Sequence, residues 1–193
     1  MDIGVISDIH GDYEALERVL DRLDNHHKVK YILCAGDLVG RGTNPNRVVD
    51  VIRERGIIAV RGNHDEWFYP LSEANAAYLN ALPVDLKCAF GKVEIFICHG
   101  KPGSNLWGLY QDHVSDTLLN MMLKSLRVNV LITGHTHIPM YIQVDRGCVI
   151  NPGSIFTFKS ARTSSHTYGV LRLSDLSFDL YDLMADPVMP LPL

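Results

Sequence analysis

The chain has 193 residues, 47% of them hydrophobic and 21% charged, a composition that excludes a disordered or fibrous protein. Its formal net charge of -4 argues against a protein that binds long nucleic acid through a broad basic surface. No apolar run approaches the roughly 20 residues of a membrane helix, and the N-terminus lacks a secretion signal. We therefore expect one cytoplasmic domain, residues 1–193, without membrane contact. The four cysteines include no Cys-x-x-Cys pair, which indicates reduced thiols.

The first part of the chain repeats one order of elements: an apolar strand, a polar loop and an amphipathic helix. The predicted strands and helices of this part are 2–7, 12–23, 30–35, 45–55 and 57–60. Asp12 is the predicted N-cap of the first helix. Asn44 and Pro45 mark the start of the second helix, and Gly56 lies just past its end. Strands that alternate with helices in this way predict a parallel sheet with right-handed crossovers.

The rest of the chain is predicted to form two helices and several short strands. These elements are a helix at 65–82, strands at 85–90 and 93–98, a helix at 111–126, and strands at 129–133, 140–144, 148–151, 168–173 and 177–183. The last four strands are predicted to be antiparallel. Within the helix at 111–126, the core-facing stripe is interpreted as Val114, Leu118, Met121 and Met122. The Pro-rich tail after Asp186 is compatible with either disorder or docking.

Five short motifs contain residue types that bind divalent metal ions. They are Asp8-Ile9-His10, Gly36-Asp37, Gly62-Asn63-His64-Asp65, His99-Gly100 and Gly134-His135-Thr136-His137. Most of them follow a predicted strand, and open α/β sheets bind their ligands at strand ends. Each motif alone has a simpler explanation as a turn, a helix cap or a surface histidine. Independent turns, however, have no reason to place such residues at successive strand ends.

The motifs supply donor atoms for two ions that share one ligand. Asp8 and His10 are two residues apart, so both side chains can project to one side of a strand end and bind one cation. Asp37 occupies the equivalent point after the next strand, and a carboxylate with two oxygens can bridge two metals. Asn63 offers an amide oxygen. The remaining donors are the imidazoles of His99, His135 and His137.

In their order, the five motifs resemble those of the calcineurin-like metallophosphoesterase superfamily, and the resemblance extends from the N-terminus to His137. It implies an α/β fold of the α+β kind, a four-layer α/β/β/α sandwich of two mixed β-sheets flanked by helices. It also implies which residues bind each ion. One ion is held by Asp8, His10, Asp37 and His137, and the other by Asp37, Asn63, His99 and His135.

The resemblance further implies catalytic residues. His64 falls on the position of the family's proton donor, with Asp65 beside it as an orienting partner. Arg41 is a candidate phosphate contact, because the surrounding stretch is similar to protein Ser/Thr phosphatases and diadenosine tetraphosphatases, where an Arg touches phosphate. Gly40 replaces the Asp that those phosphatases carry before this Arg, which argues against a protein phosphatase.

The segments 36–46 and 151–154 resemble small single-domain bacterial and archaeal phosphodiesterases. We therefore expect a metal-dependent phosphoesterase, a phosphodiesterase rather than a monoesterase, that acts on a small phosphate ester, with nucleotides among the candidates. Two divalent ions about 3.5–4 Å apart would activate a water molecule as the attacking hydroxide. Manganese is the expected ion, and Fe, Zn, Ni and Co stay open. The oligomeric state stays open too, a homo-oligomer included.

Two alternatives come from other functional classes. The same fold serves as a non-catalytic protein-binding scaffold in a retromer subunit, where the catalytic His is missing. His64 and all ligand positions are intact here, which argues against a scaffold. The second alternative is a nuclease or a dinucleoside-polyphosphate hydrolase. The acidic charge disfavours a long nucleic acid, but a nucleotide substrate stays open.

Several other residues have weaker assignments. Candidates for the wall of the cleft, for which core or subunit packing is the alternative, are Trp67, Phe68, Tyr69, Trp107 and Tyr110. Ser154 and Arg162 are candidate contacts to the distal part of a substrate. His26 and His27 are expected to be exposed to solvent. Cys98 is not expected to be a metal ligand, because a strand side chain one residue before a ligand points to the opposite face.

Overall fold

The computed structural model describes residues 1–156, 166–185 and 187–193. In these ranges the strands are β1 (Asp2–Ile6), β2 (Tyr31–Cys34), β3 (Ile58–Ala59), β4 (Asp85–Phe90), β5 (Val93–Cys98), β6 (Val130–Ile132), β7 (Met140–Val144), β8 (Gly147–Asn151), β9 (Thr167–Arg172), β10 (Phe178–Asp182) and β11 (Pro190–Leu191). The helices are α1 (Tyr13–Asp21), α2 (Pro45–Glu54), α3 (Glu73–Ala81) and α4 (Asp116–Leu126). Shorter turns of helix occur at Arg22–His26, His64–Glu66 and Gln111–His113.

The strands form two mixed sheets. The first has the order β11-β10-β9-β1-β2-β3, and the second has the order β4-β5-β6-β8-β7. β1, β2 and β3 are parallel to one another, as predicted. The antiparallel pairs expected near the C-terminus form as β7/β8 and β9/β10, but they lie in different sheets, and β8 is also parallel to β6. The Pro-rich tail docks on the first sheet, because β11 pairs with β10.

Apolar residues on both faces of the sheets build the layers of the fold. Ile3 of β1 and Ile95 of β5 belong to the core between the two sheets. Ile6, on the other face of β1, belongs to the core formed with α1 and α2. Leu123 of α4 and Leu131 of β6 belong to a third core on the outer side of the second sheet. This order of helix, sheet, sheet and helix confirms the predicted α/β/β/α sandwich.

The predicted helix at 65–82 is wrong in its first half. A single turn of 3-10 helix ends at Trp67, whose backbone is extended. The α-helix starts only at Glu73, after the N-cap residue Ser72. Pro70 explains the interruption, because proline has no N–H and disfavours helical geometry in the residue before it. This interruption leaves an irregular segment directly after the third metal-binding motif.

The predicted core stripe at α4 is confirmed only in part, because Val114 and Met122 pack against the core whereas Leu118 and Met121 are exposed. The helix begins later than expected because Ser115 caps it. Its buried residues are Leu119 and Leu123, whereas Leu118 and Met121 of the predicted stripe are 43% and 63% exposed. Apolar residues occur on both faces of this helix, so the sequence pattern could not decide which face meets the sheet.

His27 is not exposed to solvent as expected. Its Nε2 lies 3.1 Å from the hydroxyl of Tyr168, and its ring centroid lies 4.4 Å from that of Tyr181. Burial lowers the pKa of His27 from 6.5 to about 4, and the positive charges of His26 and Arg22 act in the same direction. The turn of π-helix that extends α1 carries the side chain towards the two tyrosines.

We expect His27 to make the fold less stable in acid. Its pKa is about 4 in the folded chain, below the ordinary value of 6.5 that it has when unfolded. Between these two values the unfolded state binds more protons, so the stability falls as the pH falls. Because His27 is only partly buried, solvent screening reduces its effect to roughly 1 kcal/mol. His27→Gln should therefore remove about 2–4 °C of the acid-induced drop in melting temperature in a chain of this size. Thermal melts at pH 7 and pH 4.5 measure it, with His26→Gln as the exposed control. Equal drops in all three proteins would contradict the assignment.

The cysteines are free, as the sequence indicates. Cys34, Cys98 and Cys148 are buried, and Cys88 is partly buried. Burial raises the pKa of Cys98 to about 12, so its thiol is neutral at pH 7 and poorly suited to bind a metal. Across the described ranges, no helix combines the length and the apolar character needed to cross a membrane.

Candidate metal centre

The five motifs lie at one rim of the sandwich, where strands of both sheets end. Asp8, Asp37 and Asn63 follow β1, β2 and β3 of the first sheet, and His99 and His135 follow β5 and β6 of the second. Main-chain hydrogen bonds join the loops, among them one of 3.0 Å from the N–H of Asp8 and one of 2.7 Å to the carbonyl of His99. The rim therefore holds residues from distant parts of the sequence in a fixed arrangement.

Several of the predicted ligands have a left-handed backbone. The φ angles are 54° at Asp8, 50° at His10, 54° at Asp37, 67° at His135 and 57° at His137. This conformation costs a non-glycine residue on the order of 1–3 kcal/mol, and such residues persist where the surrounding structure over-determines them. They also cluster at functional sites. The concentration of strained residues in these motifs supports a functional role for the rim.

The donor atoms of the motifs fall into two groups. The first donor group consists of Asp8, His10, Asp37 and His137. His137 Nε2 lies 3.1 Å from Asp8 Oδ1 and 3.0 Å from His10 Nε2. His10 Nε2 lies 3.7 Å from Asp37 Oδ2. These are the four residues that the family resemblance implies for one ion.

The second donor group consists of Asp37, Asn63, His99 and His135. His99 Nε2 lies 3.3 Å from Asp37 Oδ2. Asn63 Oδ1 lies 3.0 Å from His99 Nε2 and 2.9 Å from His135 Nδ1. Asp37 Oδ2 therefore borders both groups. The structure brings together all seven residues that the sequence suggests as metal ligands.

The donor atoms fit divalent metal ions. Bonds of about 2.0–2.2 Å to nitrogen and oxygen place neighbouring ligand atoms about 2.8–3.6 Å apart in tetrahedral or octahedral shells, close to the separations found here. Asp8 Oδ1 is buried and accepts no well-aligned hydrogen bond, although His137 Nε2 lies 3.1 Å away. Asp8 Oδ2, in contrast, accepts from Ser7 Oγ at 2.5 Å and from the N–H of His135 at 3.0 Å. A buried ionised oxygen without a well-aligned donor is costly unless a cation pairs with it.

The protonation of the imidazoles also suits cation binding. Burial lowers the pKa of His10 to about 4, so its ring is neutral at pH 7, as a metal ligand must be. Burial acts in the same direction on His99, but the negative charges of Asp37 and Asp8 outweigh it and raise its pKa to about 9. A cation in the second donor group would take the place of this proton.

His64 lies beside the first donor group. Its main-chain N–H donates to Asp37 Oδ1 at 2.8 Å, and its ring centroid lies 4.8 Å from that of His10 in an edge-on arrangement. Tyr69 places its hydroxyl 3.5 Å from His64 Nδ1. Burial lowers the pKa of His64, the charge of Asp37 raises it, and the charge of the exposed Arg41 lowers it. His64 therefore lies beside the donor atoms, and Arg41 lies close enough for its charge to act on His64.

Asp65 has different contacts from those expected of a partner for His64. Its Oδ1 accepts from the N–H of Val39 at 3.0 Å, and its Oδ2 accepts from the N–H of Gly62 at 2.8 Å. Because both carboxylate oxygens accept from main-chain N–H groups, these contacts indicate that Asp65 holds the backbone and does not orient His64. Burial and the charge of Asp37 raise the pKa of Asp65 to about 7. The carboxylate ties the loop after β2 to the loop after β3.

Ser154 stabilises a loop that carries a proposed ligand instead of contacting a substrate, which corrects the expectation from the sequence. It is buried, and its Oγ donates to the carbonyl of Asp8 at 2.9 Å. Asn151, which was not assigned a role from the sequence, donates from Nδ2 to the carbonyl of Gly134 at 2.7 Å and to Thr136 Oγ1 at 3.1 Å. The Asn-Pro-Gly-Ser segment thus fixes the loops that carry the ligands. Arg162 lies outside the described residues.

Replacing Asn151 with Ala should weaken metal binding without unfolding the chain. The carbonyl of Gly134 and the hydroxyl of Thr136 would lose a donor. The loop that carries His135 and His137 would therefore be held less firmly. Loss of such an outer contact costs about 10–100-fold in metal affinity. Isothermal titration of metal-stripped protein with Mn²⁺ measures this, and Asn25→Ala on the surface is the matched control. Unchanged affinity in Asn151→Ala would rule out the supporting role.

Two glycines beside the ligands are required by close packing. A Cβ on Gly62 would lie 2.1 Å from Asp37 Oδ1, and a Cβ on Gly134 would lie 2.0 Å from Ser7 Oγ. Any side chain at these positions would displace the groups that hold Asp37 and Asp8. The glycines in the motifs therefore belong to the construction of the site.

Comparison with known proteins agrees with this geometry. A family model described as the calcineurin-like phosphoesterase superfamily domain matches residues 1–176. The chain is 30% identical to the uncharacterized protein MJ0912 of Methanocaldococcus jannaschii over 79% of this chain and 75% of that protein. It is also 30% identical to the phosphodiesterase YfcE of Escherichia coli over 86% of this chain and 84% of YfcE.

Solved structures show the same fold. The crystal structure of the hypothetical protein PH1004 from Pyrococcus horikoshii superposes with a TM-score of 0.80 at 19% identity and covers 96% of this chain and 89% of PH1004. The family model spans all five motifs, and the donor residues of those motifs converge in the structure. The chain therefore belongs to the calcineurin-like phosphoesterase superfamily.

Proposed function

We propose that the chain is a metal-dependent phosphodiesterase that hydrolyses a small phosphate ester and uses two divalent transition-metal ions, preferably Mn²⁺. The observation that carries this proposal is the position of Asp37. Its Oδ2 lies 3.7 Å from His10 Nε2 in one donor group and 3.3 Å from His99 Nε2 in the other. The similarity to the phosphodiesterase YfcE supports a diester as the substrate.

The seven ligand residues would hold the ions in the two donor groups, with Asp37 common to both. When bound, such ions supply Lewis-acid charge to phosphoryl oxygens and lower the pKa of water towards neutrality. The carboxylates available to them are those of Asp8 and Asp37, whose two negative charges do not cancel the charge of two divalent ions. The loaded site would therefore attract an anionic ester even though the chain has a net charge of -4.

His64 is proposed to protonate the leaving oxygen of the ester. Its ring is half-buried beside His10, and its main-chain N–H is bonded to Asp37, so the acid is held in a fixed relation to the ligands. A general acid of this kind accelerates hydrolysis by about 10²–10⁴-fold. Arg41 is exposed, and its positive charge lowers the pKa of His64. We propose that Arg41 contacts the phosphate.

Metal-stripped protein reloaded with Mn²⁺, Fe²⁺, Co²⁺, Ni²⁺ or Zn²⁺ tests the function. Each form is assayed with p-nitrophenyl phosphate as monoester, bis(p-nitrophenyl) phosphate as diester and diadenosine tetraphosphate. We expect no hydrolysis without metal and fastest hydrolysis of the diester with Mn²⁺. Metal content is measured in parallel and should reach two ions per chain.

The alternatives give different results in the same assay. Preference for diadenosine tetraphosphate would assign the chain to the dinucleoside-polyphosphate hydrolases. A chain that binds metal but hydrolyses none of the three substrates would favour the non-catalytic scaffold. A preference for DNA or RNA fragments whose binding weakens steeply with salt would indicate a nuclease.

A further inference from the structure

Two loops at the rim of the donor groups carry large apolar side chains that face solvent. Trp67 is 60% exposed and Phe68 is 95% exposed. On the second loop, Leu106 is 63% exposed and Trp107 is 68% exposed. We call these four residues the apolar rim. Exposed apolar groups that occur together mark binding surfaces, whereas single ones are ordinary.

The two loops that carry the apolar rim lie against both parts of the site. The ring centroid of Trp67 lies 4.3 Å from that of His64, at an interplanar angle of 42°. On the other loop, Gly108 lies so close to His135 that a Cβ there would come within 3.2 Å of the imidazole. One loop of the apolar rim therefore contacts the proposed acid through Trp67, and the other approaches a proposed ligand at the residue after Trp107.

A hydrogen bond joins the two loops. Asn105 Nδ2 donates to Glu66 Oε1 at 2.9 Å. Trp67 follows Glu66 in the chain, and Leu106 follows Asn105. The two loops that carry the apolar side chains are thus joined beside the site.

The role of His64 determines which part of a substrate reaches this surface. A general acid must lie within hydrogen-bond reach of the leaving oxygen, so the group attached to that oxygen passes next to the imidazole. Trp67 packs on that imidazole, so a leaving group beside the acid comes within reach of the indole. An indole offers a flat face, on which planar rings stack.

We propose that the apolar rim binds a planar aromatic ring on the leaving-group side of the substrate, with Trp67 as the stacking residue. This inference rests on the proposed function and adds the class of leaving group. A nucleobase and a simple aryl ring share the required chemistry. A small aliphatic leaving group would leave the apolar rim uncovered.

The chain itself provides the probe for this proposal. It has two tryptophans, Trp67 and Trp107, and both belong to the apolar rim. Intrinsic tryptophan fluorescence therefore reports on this surface. Adenosine 5′-monophosphate and ribose 5-phosphate differ only by the base, and phenyl phosphate carries an aryl ring close to the phosphate. In each of these monoesters, the single ester oxygen corresponds to the leaving oxygen.

Binding of the three ligands to the Mn²⁺-loaded protein is measured by fluorescence and by competition with inorganic phosphate. We expect adenosine 5′-monophosphate to bind roughly tenfold more tightly than ribose 5-phosphate and to quench the emission. Trp67→Ala should bring this ratio close to one and leave the affinity for ribose 5-phosphate unchanged, a result that a merely structural role would not give. Trp67→Phe should keep part of the ratio, and Met121→Ala, an exposed apolar residue on α4, should keep all of it.

Several outcomes would overturn the inference. One is equal affinity for adenosine 5′-monophosphate, phenyl phosphate and ribose 5-phosphate. Another is a ratio that survives Trp67→Ala. Substitutions in the apolar rim that change the sedimentation coefficient but not the ratio would identify the surface as a contact between copies of the chain. In all these cases the phosphate group still binds, so the proposed function stands, whereas failure of every phosphate ligand to bind would remove both. Tighter binding of phenyl phosphate alone would identify the ring as a simple aryl group.

Discussion

Replacing Asp37 with Asn is expected to abolish hydrolysis and to lower the metal content of the chain. Asp37 Oδ1 accepts the N–H of His64 at 2.8 Å, and the amide oxygen of an asparagine would keep this bond. The amide nitrogen would then occupy the position of Oδ2, between His10 and His99, where it has no lone pair to offer a cation. Both donor groups lose their common carboxylate.

We expect the loss in kcat/KM to be at least about 10³-fold, because removing a residue that only supports a ligand already costs about 10–100-fold. Metal analysis after dialysis and kinetics with bis(p-nitrophenyl) phosphate measure the two effects. Asp50→Asn is the matched control, since Asp50 lies in an exposed ion pair with Arg53. An Asp37→Asn variant that kept two ions per chain would show that Asp37 is not a shared ligand.

Replacing His64 with Ala is expected to slow the reaction and leave the metals in place. The imidazole is the proposed acid, so kcat should fall by about 10²–10⁴-fold. The fall should be larger for an alkyl ester than for a p-nitrophenyl ester, because a good leaving group needs little protonation. The N–H bond to Asp37 belongs to the main chain and is retained in the variant.

This experiment also tests a competing assignment. A ring nitrogen of His64 lies within 4.8 Å of donor atoms of His10 and Asp37, so His64 is within reach of a ligand role. Loss of one metal ion in His64→Ala would establish that role and contradict the acid. His113→Ala, a change of an exposed histidine, provides the control for substitutions of this kind.

The local order of secondary structure was predictable only where one pattern dominated. β1, β2 and β3 form as the alternation of strands and helices predicts. The start of α3 was wrong because Pro70 and the turn after His64 interrupt a segment whose composition favours a helix. The stripe predicted for α4 was wrong at Leu118 and Met121 because apolar residues surround the helix, and only the position of the second sheet selects Leu119 and Leu123.

The sequence by itself determined the donor residues of the candidate site and their order. A strand places its terminal residues at the edge of a sheet, so Asp8, Asp37 and His99 could be recognised from the strands that precede them. The tertiary structure decided what the neighbouring polar residues do. Ser154 bonds to the carbonyl of Asp8 across 146 positions, and Asp65 uses its carboxylate on main-chain groups of two loops. Such contacts depend on which distant segments meet, and a local pattern reports only on neighbours along the chain.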